Sequence, residues 1–418
     1  MADLPIRVLH FADAHIGMEN YGRTDPETGL SSRVVDFLRR MDDICQYALE
    51  HDADLIVFAG DAFKTRTPNP TYQREFAHRI RDLANIAPVI LLIGNHDIAP
   101  AKMRASSVEI YETLAVPNVY VASEYDVIPI TTKRGDVIVG TVPYPMRARI
   151  LETLPSMKRT IADTDRAVHE SLVNILEDMA EKADEYGDTP RLLTAHLTVT
   201  GAVTGSERNI MLGRDISIAK THIADPRWDY VALGHIHKHQ NITRDREDLP
   251  PTVYSGSIER IDFGEEGDPK GFCWVELARN NTQWKFVKLK ARPFVTLTAD
   301  LRTSENPTAE VDRLIDAHDL HGAVVRVLLD FTPESEARFN ENTIRDSLRR
   351  SGMFALAVIR KNVEQPSRLR LGMSPEGLTN QQLLEQYLIS TEITENRRNE
   401  LLELAHGIMA SVDEIKEA

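Results

Sequence analysis

Five short apolar runs, widely separated in the chain, each stop on side chains of the kind that bind metals. Pro88-Val89-Ile90-Leu91-Leu92-Ile93 closes on Gly94-Asn95-His96-Asp97, and Arg7 to Ala12 closes on Asp13-Ala14-His15. Leu55 to Ala59 ends in Gly60-Asp61, Arg191 to Ala195 in His196, and Asp229 to Leu233 in Gly234-His235-Ile236-His237. Runs of this length read as buried strands, and the carboxyl edge of a sheet is where α/β folds build their sites. One strand ending in histidine is ordinarily structural, and Gly-Asn after a strand is ordinary turn chemistry. Five such ends in one chain point to a shared site.

The segments between these runs supply the helices that such a sheet needs. Val34, Phe37, Leu38, Met41, Ile44, Cys45 and Ala48 recur at helical steps, as do Tyr72, Phe76, Ile80 and Leu83 after a loop holding Pro68 and Pro70. The resulting β-α-β alternation predicts an α/β class fold, a sheet with helices packed over it. The pattern predicts a further helix over Ala101 to Leu114, with Met103, Val108 and Tyr111 among its apolar members. Strands at Val119 to Val121, Val127 to Ile130 and Val137 to Val142 follow, where parallel pairing is expected to give way to hairpins. A long helix is expected from Asp165 to Lys182, and strands at Thr252 to Ser255, Gly271 to Glu276 and Gln283 to Leu289.

Everything with ligand character precedes Arg292-Pro293-Phe294, which predicts a first domain over 1–292. Residues 293–372 read as a small α+β capping domain, with strands near Val295 to Ala299, Ala323 to Phe331 and Phe354 to Lys361 and helices near Ala309 to Ala317 and Thr343 to Arg350. Residues 373–418 read as a helical tail. Thr379-Asn380-Gln381-Gln382 fits a capping box, and Leu401, Ala405, Ile408, Val412 and Ile415 form a coiled-coil-like seam. From Met373 onward there are nine acidic and three basic residues, flanks that suit a protein partner better than DNA.

Composition narrows the class. Of 418 residues 42% are apolar, yet no stretch of about 18 uncharged apolar residues marks a membrane span. Met-Ala-Asp-Leu-Pro shows no secretory pattern, and two distant cysteines, Cys45 and Cys273, fit a reducing cytoplasm. A net charge of −15 argues against a generally sticky nucleic-acid binder. It does not exclude a nuclease, because divalent cations reverse the field at a carboxylate-rich site.

Asp13, His15, Asp61, Asn95, His196, His235 and His237 make seven nitrogen and oxygen donors, too many for one ion and suited to two if one carboxylate bridges. Mixed imidazole and carboxylate donors favour Mn, Fe or Zn over Ca or Mg. Two ions about 3.5 to 4 Å apart can activate water and polarise a phosphoryl group for in-line attack. His96, adjacent to Asn95 and not needed as a ligand, is placed to protonate the leaving oxygen.

The motifs Asp13-x-His15, Gly60-Asp61, Gly94-Asn95-His96-Asp97, His196 and Gly234-His235-x-His237 resemble, in order and spacing, the calcineurin-like metallophosphoesterase signature. Leu9 to Gly17, Asp229 to Lys238 and Tyr254-Ser255-Gly256-Ser257-Ile258-Glu259-Arg260 resemble more narrowly the SbcD family, the nuclease subunit that works with an SbcC-type ATPase in double-strand-break repair. The resemblance covers residues 6 to about 292 strongly, the capping region weakly and the tail by position. It implies a four-layer α/β/β/α sandwich and a Mn-dependent nuclease acting at DNA ends, a 3′ to 5′ exonuclease and single-strand or hairpin endonuclease. By family pattern, Asp13, His15 and His237 complete one metal site and Asn95, His196 and His235 the other, with Asp61 between. A homodimer through helices near Tyr72 to Leu83 and Ala101 to Leu114 is also implied, with a C-terminal helical pair clasping the partner's coiled coil.

One departure concerns Gly60-Asp61-Ala62-Phe63-Lys64, where some relatives carry histidine in place of Lys64. Lysine neutralises a phosphate as a point charge but does not shuttle protons at neutral pH. Lys64 therefore reads as a substrate contact or as a solvated lysine, leaving the general-acid role to His96. Asp97 reads either as an orienting partner of His96 or as a helix cap. His10 is expected to be structural and His239 exposed, while Arg360, Lys361, Arg368 and Arg370 form a DNA-touching or merely solvated basic edge. Competing readings of the whole chain are a metallophosphoesterase for a small ester or phosphoprotein, and a scaffold that kept the fold without the chemistry. No Walker-type phosphate loop occurs, so ATP dependence belongs to a partner.

Overall fold

The computed structural model describes residues 4–99, 105–153, 160–205, 215–364, 379–390 and 395–416. Met103, Arg368 and Arg370 lie outside the described residues, as do the side chains of Ile408, Val412 and Ile415. By internal contacts the chain forms two compact units, one of residues 1–297, 318–326 and 348–358, the other of 298–317, 327–347 and 359–418.

In the first unit the strands are β1 (Ile6–Phe11), β2 (Leu55–Phe58), β3 (Val89–Leu92), β4 (Val119–Ala122), β5 (Asp126–Thr132), β6 (Gly135–Val142) and β7 (Arg191–His196). They continue with the short β8 (Thr198–Val199) and β9 (Ser217–Ile218), then β10 (Tyr230–Gly234), β11 (Gln240–Asn241), β12 (Thr252–Tyr254), β13 (Gly271–Leu277) and β14 (Gln283–Lys288). One six-stranded sheet has the order β14-β13-β1-β2-β3-β4 and the other β11-β12-β10-β7-β6-β5. β1 to β4 run parallel, and so do β6, β7, β10 and β12; antiparallel β13 joins β1, and β5 forms a hairpin with β6. Hairpins thus begin at β5, later than the expected change at Val119, because β4 still pairs parallel to β3.

Strand alternation explains the layers. Ile6, Val8, Leu55, Val57, Ile90 and Leu92 point from the first sheet into a core shared with Val139, Leu192, Tyr230, Ala232 and Val253 of the second. Leu9, Phe11, Ile56, Phe58 and Leu91 point the other way, onto the helices Ser32–Glu50 and Pro70–Ala84. Leu193, Val231 and Leu233 likewise meet Val168, Leu172, Leu176 and Met179 of the helix Ile161–Asp184. Helix, sheet, sheet and helix are therefore stacked as the four-layer sandwich. Ser31 and Asn69 cap the first two helices, and a Thr160/Asp163 capping box starts the third several residues before Asp165.

The helix expected over Ala101 to Leu114 is reduced, among the described residues, to the single turn Ile110–Thr113. Ser107 is drawn instead to the loop after β3, where its amide donates to the Asp97 carbonyl at 3.1 Å, so that this N–H is taken from any helical ladder. Val108 and Tyr111 are still buried.

Downstream, β15 (Phe294–Asp300), β16 (Val324–Phe331) and β17 (Ala355–Val363) pair in that order, with helices Pro307–Asp316 and Glu341–Arg350 between them. The tail forms helices Asn380–Ser390 and Glu395–Lys416. Thr379 and Gln382 make the reciprocal capping bonds that the sequence suggests. No described helix is long and apolar enough to cross a membrane.

Candidate metal centre

The loops leaving β1 and β2 are laced together by their backbones: Asp13 N–H donates to Gly60 O at 2.9 Å and His15 N–H to Asp61 O at 3.1 Å. Asp13, His15, Asp61 and His235 all adopt positive φ, at 54°, 41°, 62° and 94°. Left-handed backbone is costly for residues other than glycine and persists where the surroundings impose it, characteristically at functional sites. Two glycines allow the loops to close this tightly. A Cβ on Gly60 would lie 2.3 Å from His196 Nδ1, and one on Gly94 would lie 2.2 Å from Asp61 Oδ1.

All seven predicted donors meet at this edge. His15 Nε2 lies 3.0 Å from His237 Nε2 and 3.7 Å from Asp61 Oδ2. His196 Nε2 is 3.4 Å from Asp61 Oδ2 and 3.1 Å from Asn95 Oδ1, which is 2.9 Å from His235 Nδ1. Asp13, His15 and His237 offer donor atoms within 4.8 Å of one another, as do Asp61, His196 and His235, and so do His15, Asp61 and His96. Asp13 also accepts the His235 amide at 3.1 Å.

The donor set fits divalent cations because the lone pairs face inward. His196 Nδ1–H donates to Ala59 O at 2.7 Å, His235 Nε2–H to Asp215 at 2.9 Å and His237 Nδ1–H to Glu265 at 2.8 Å. In the neutral ring the other nitrogen is then an acceptor turned toward the cluster, the arrangement that carboxylates and carbonyls impose on metal-binding histidines.

Charge is tightly balanced. Burial pushes the Asp61 carboxyl up, but His196, His96 and His15 outweigh it and hold it well below the usual carboxylate range. His196 is pulled down by burial, yet Asp61 and Asp13 raise it to about 9. Burial dominates at Asp13, which is raised, and at His15, which is held well below the imidazole range. Asp61 and His196 thus favour opposite charges, and a cation bound at such a site displaces protons from its ligands.

His96 sits beside the donors. Its amide donates to Asp61 Oδ1 at 2.8 Å, its Nδ1–H donates to the Lys64 carbonyl at 2.7 Å, and its ring lies edge-on to His15 at 5.0 Å. The main chain of Lys64, rather than its half-buried side chain, thus holds the imidazole. Among the described residues Asp97 neither orients His96 nor caps a helix: its carboxylate accepts the amides of Asp61, Ala62 and Gly94 at 2.8, 3.0 and 3.1 Å. His10 is structural as expected, fully buried against Tyr230 OH and Leu233 O. His239 is half-buried rather than exposed, because its ring stacks on Phe286 at 3.8 Å. Lys361 is paired with Glu336, so the basic edge near it is partly neutralised.

Sequence reasoning missed the residues behind the site. Glu265 backs His237, and Asp215, which accepts the Tyr144 hydroxyl at 2.5 Å, backs His235. Arg66, exposed at the rim, donates from Nε to Asn95 O at 3.3 Å. Glu265, Asp215 and Arg66 do not stand at the carboxyl end of a strand, the local signal that the seven donors share.

Fold and centre together define a metallophosphoesterase: residues 6–239 match the calcineurin-like phosphoesterase family, and the chain belongs to it. It is similar to the SbcD subunit of nuclease SbcCD from Bacillus subtilis (strain 168), 29% identical over 307 residues that cover 72% of this chain and 74% of that one. The SbcD subunit from Rhodobacter capsulatus is 27% identical over 286 residues, covering 65% and 67%. Among solved structures, a dimetal phosphatase from Danio rerio is similar with 10% identity and a TM-score of 0.42, covering 68% of this chain and 97% of that one. The SbcD-like strings read in the sequence therefore belong to a resemblance that spans most of the chain.

Proposed function

We propose that this chain is a Mn-dependent DNA nuclease of the double-strand-break repair type, a 3′ to 5′ exonuclease and single-strand or hairpin endonuclease that works in the cytoplasm with an SbcC-type ATPase. The observation that carries the reading is the convergence of seven donor side chains from five strand ends, with His96 beside them. Asp13, His15 and His237 would hold one ion and Asn95, His196 and His235 the other, with Asp61 shared. Bound there, two ions supply a nucleophile from water at neutral pH and Lewis-acid polarisation of the phosphoryl group.

The protein's own groups do the rest. His96 in its protonated form gives the Nε2 proton to the leaving oxygen, while its bond to Lys64 O keeps the ring's orientation in both protonation states. The Lys64 ammonium offers a point charge to a substrate phosphate.

Residues 293–372 act as the capping domain and residues 373–418 as the segment that binds the ATPase coiled coil. Exposed Tyr387, Ile389 and Leu404 support an apolar contact there. Exposed Ile110, Leu114 and Tyr120 support a homodimer face. A Mn titration of blunt, hairpin and single-stranded DNA digestion, with and without the ATPase, tests the proposal. Cleavage of a simple aryl phosphate far better than DNA would favour the small-ester reading, and a chain that takes up no metal would favour the scaffold.

A further inference from the structure

The segment from Gly256 to Lys270 lies outside every ligand motif, yet it grips His237 at both ends. Glu265 Oε1 accepts the ring's Nδ1–H at 2.8 Å, and the His237 carbonyl accepts both the Lys270 ammonium and the Ser257 amide at 3.1 Å. Glu265 and Lys270 are joined to each other at 2.8 Å, with side-chain exposures of 0% each. The remaining capacity is filled as well: Lys270 donates to Ser257 Oγ at 2.8 Å, and Glu265 Oε2 accepts the Ile261 amide at 2.9 Å. All three ammonium protons of Lys270 therefore have acceptors. Gly256, at φ +76°, lets the turn come this close, since a Cβ there would lie 2.8 Å from the His237 carbonyl oxygen.

Such a pair is a poor device for stability alone. Burying two ions carries a large desolvation penalty, and an apolar pair of similar volume is often as stable or more so. What a carboxylate does that an apolar side chain cannot is hold an imidazole in one tautomer.

We propose that Glu265 and Lys270 form a positioning pair for His237, holding its ring in the Nδ1–H tautomer with the Nε2 lone pair turned toward Asp13 and His15. In doing so the pair sets the affinity of that half of the centre for a divalent cation. This rests on the reading of the centre as a two-cation site, and it assigns to the segment after the paired histidines a role in cation affinity.

Mn2+ binding to the full-length chain, followed by the electron paramagnetic resonance of free Mn2+, tests it in two variants whose folding is checked by thermal melting without metal. Glu265→Leu combined with Lys270→Met removes both charges at similar volume, and Glu265→Asp keeps the charge but shortens its reach. In each, one of the two ions is expected to bind about 10- to 100-fold more weakly, with the other near its parental affinity. A folded variant that binds both ions as the parent does overturns the proposal. Long-range 1H–15N NMR of the metal-free parent needs no folded variant: a proton on Nδ1 of His237 is expected, and a ring with Nδ1 bare and the proton on Nε2 alone overturns the pairing. A parent chain that takes up fewer than two Mn2+ instead overturns the reading of the centre, whatever the tautomer.

Discussion

The carboxylate of Asp97 accepts the backbone amide of Asp61 at 2.8 Å, across 36 residues of sequence. Because it also takes the amides of Ala62 and Gly94, it ties the loop after β2 to the loop after β3. Asp97→Asn puts an NH2 group against an N–H donor, and a buried donor left unsatisfied in this way is expected to cost about 1 to 3 kcal/mol. Urea denaturation of the variant measures it, and a parental midpoint would mean that the loops are held elsewhere.

His96 is bonded through Nδ1 to a carbonyl and stands beside the donors, so its role is separable from theirs. His96→Ser should retain the parent's Mn2+ uptake while losing about 10²- to 10⁴-fold in the rate of DNA cleavage. Parental cleavage would dismiss it as the proton donor.

Cations binding only the folded chain must stabilise it. Mn2+ added to the chelator-treated protein at a hundred times its dissociation constant is expected to contribute about 2.7 kcal/mol. The accompanying rise in melting temperature should shrink in His196→Gln, which removes one inward lone pair. Scanning calorimetry with and without chelator gives both numbers.

His10 provides a pH test away from the cations. Burial holds its imidazole down to about 3, against 6.5 when unfolded, with its bond to Leu233 O opposing. Below pH 6.5 the unfolded chain takes up a proton that the folded chain refuses, so this contribution is complete above that pH and is lost as the pH falls toward 3. The drop in melting temperature between about pH 7 and pH 5 should be smaller in His10→Gln than in the parent. Equal drops would show that other groups control acid sensitivity.

Burial pushes the thiols of Cys45 and Cys273 up to about 12. At pH 8 the thiolate fraction is then about 1000-fold below that of an ordinary cysteine. Iodoacetamide should label the native protein far more slowly than the urea-unfolded chain, as mass spectrometry would show.

The local order of residues was enough to locate the longer strands and the three long helices of the sandwich, though not the two-residue strands β8, β9 and β11. Alternation and helical spacing record which side of an element is buried, and Leu9, Phe11 and Phe58 carry that record individually. It was also enough to name Asp13, His15, Asp61, Asn95, His196, His235 and His237 as a group, since each stands at or just after the end of a buried strand, although only the packing of the two sheets brings both sets of ends together. Tertiary structure alone decided what stands behind them. Glu265 reaches His237 across 28 residues and Asp215 reaches His235 across 20. Asp97 was given to loop amides instead of to its neighbour, and His239 found a ring to stack on. A hydrogen bond made across a fold depends on where two distant backbones come to rest, and no periodicity in either segment encodes the meeting.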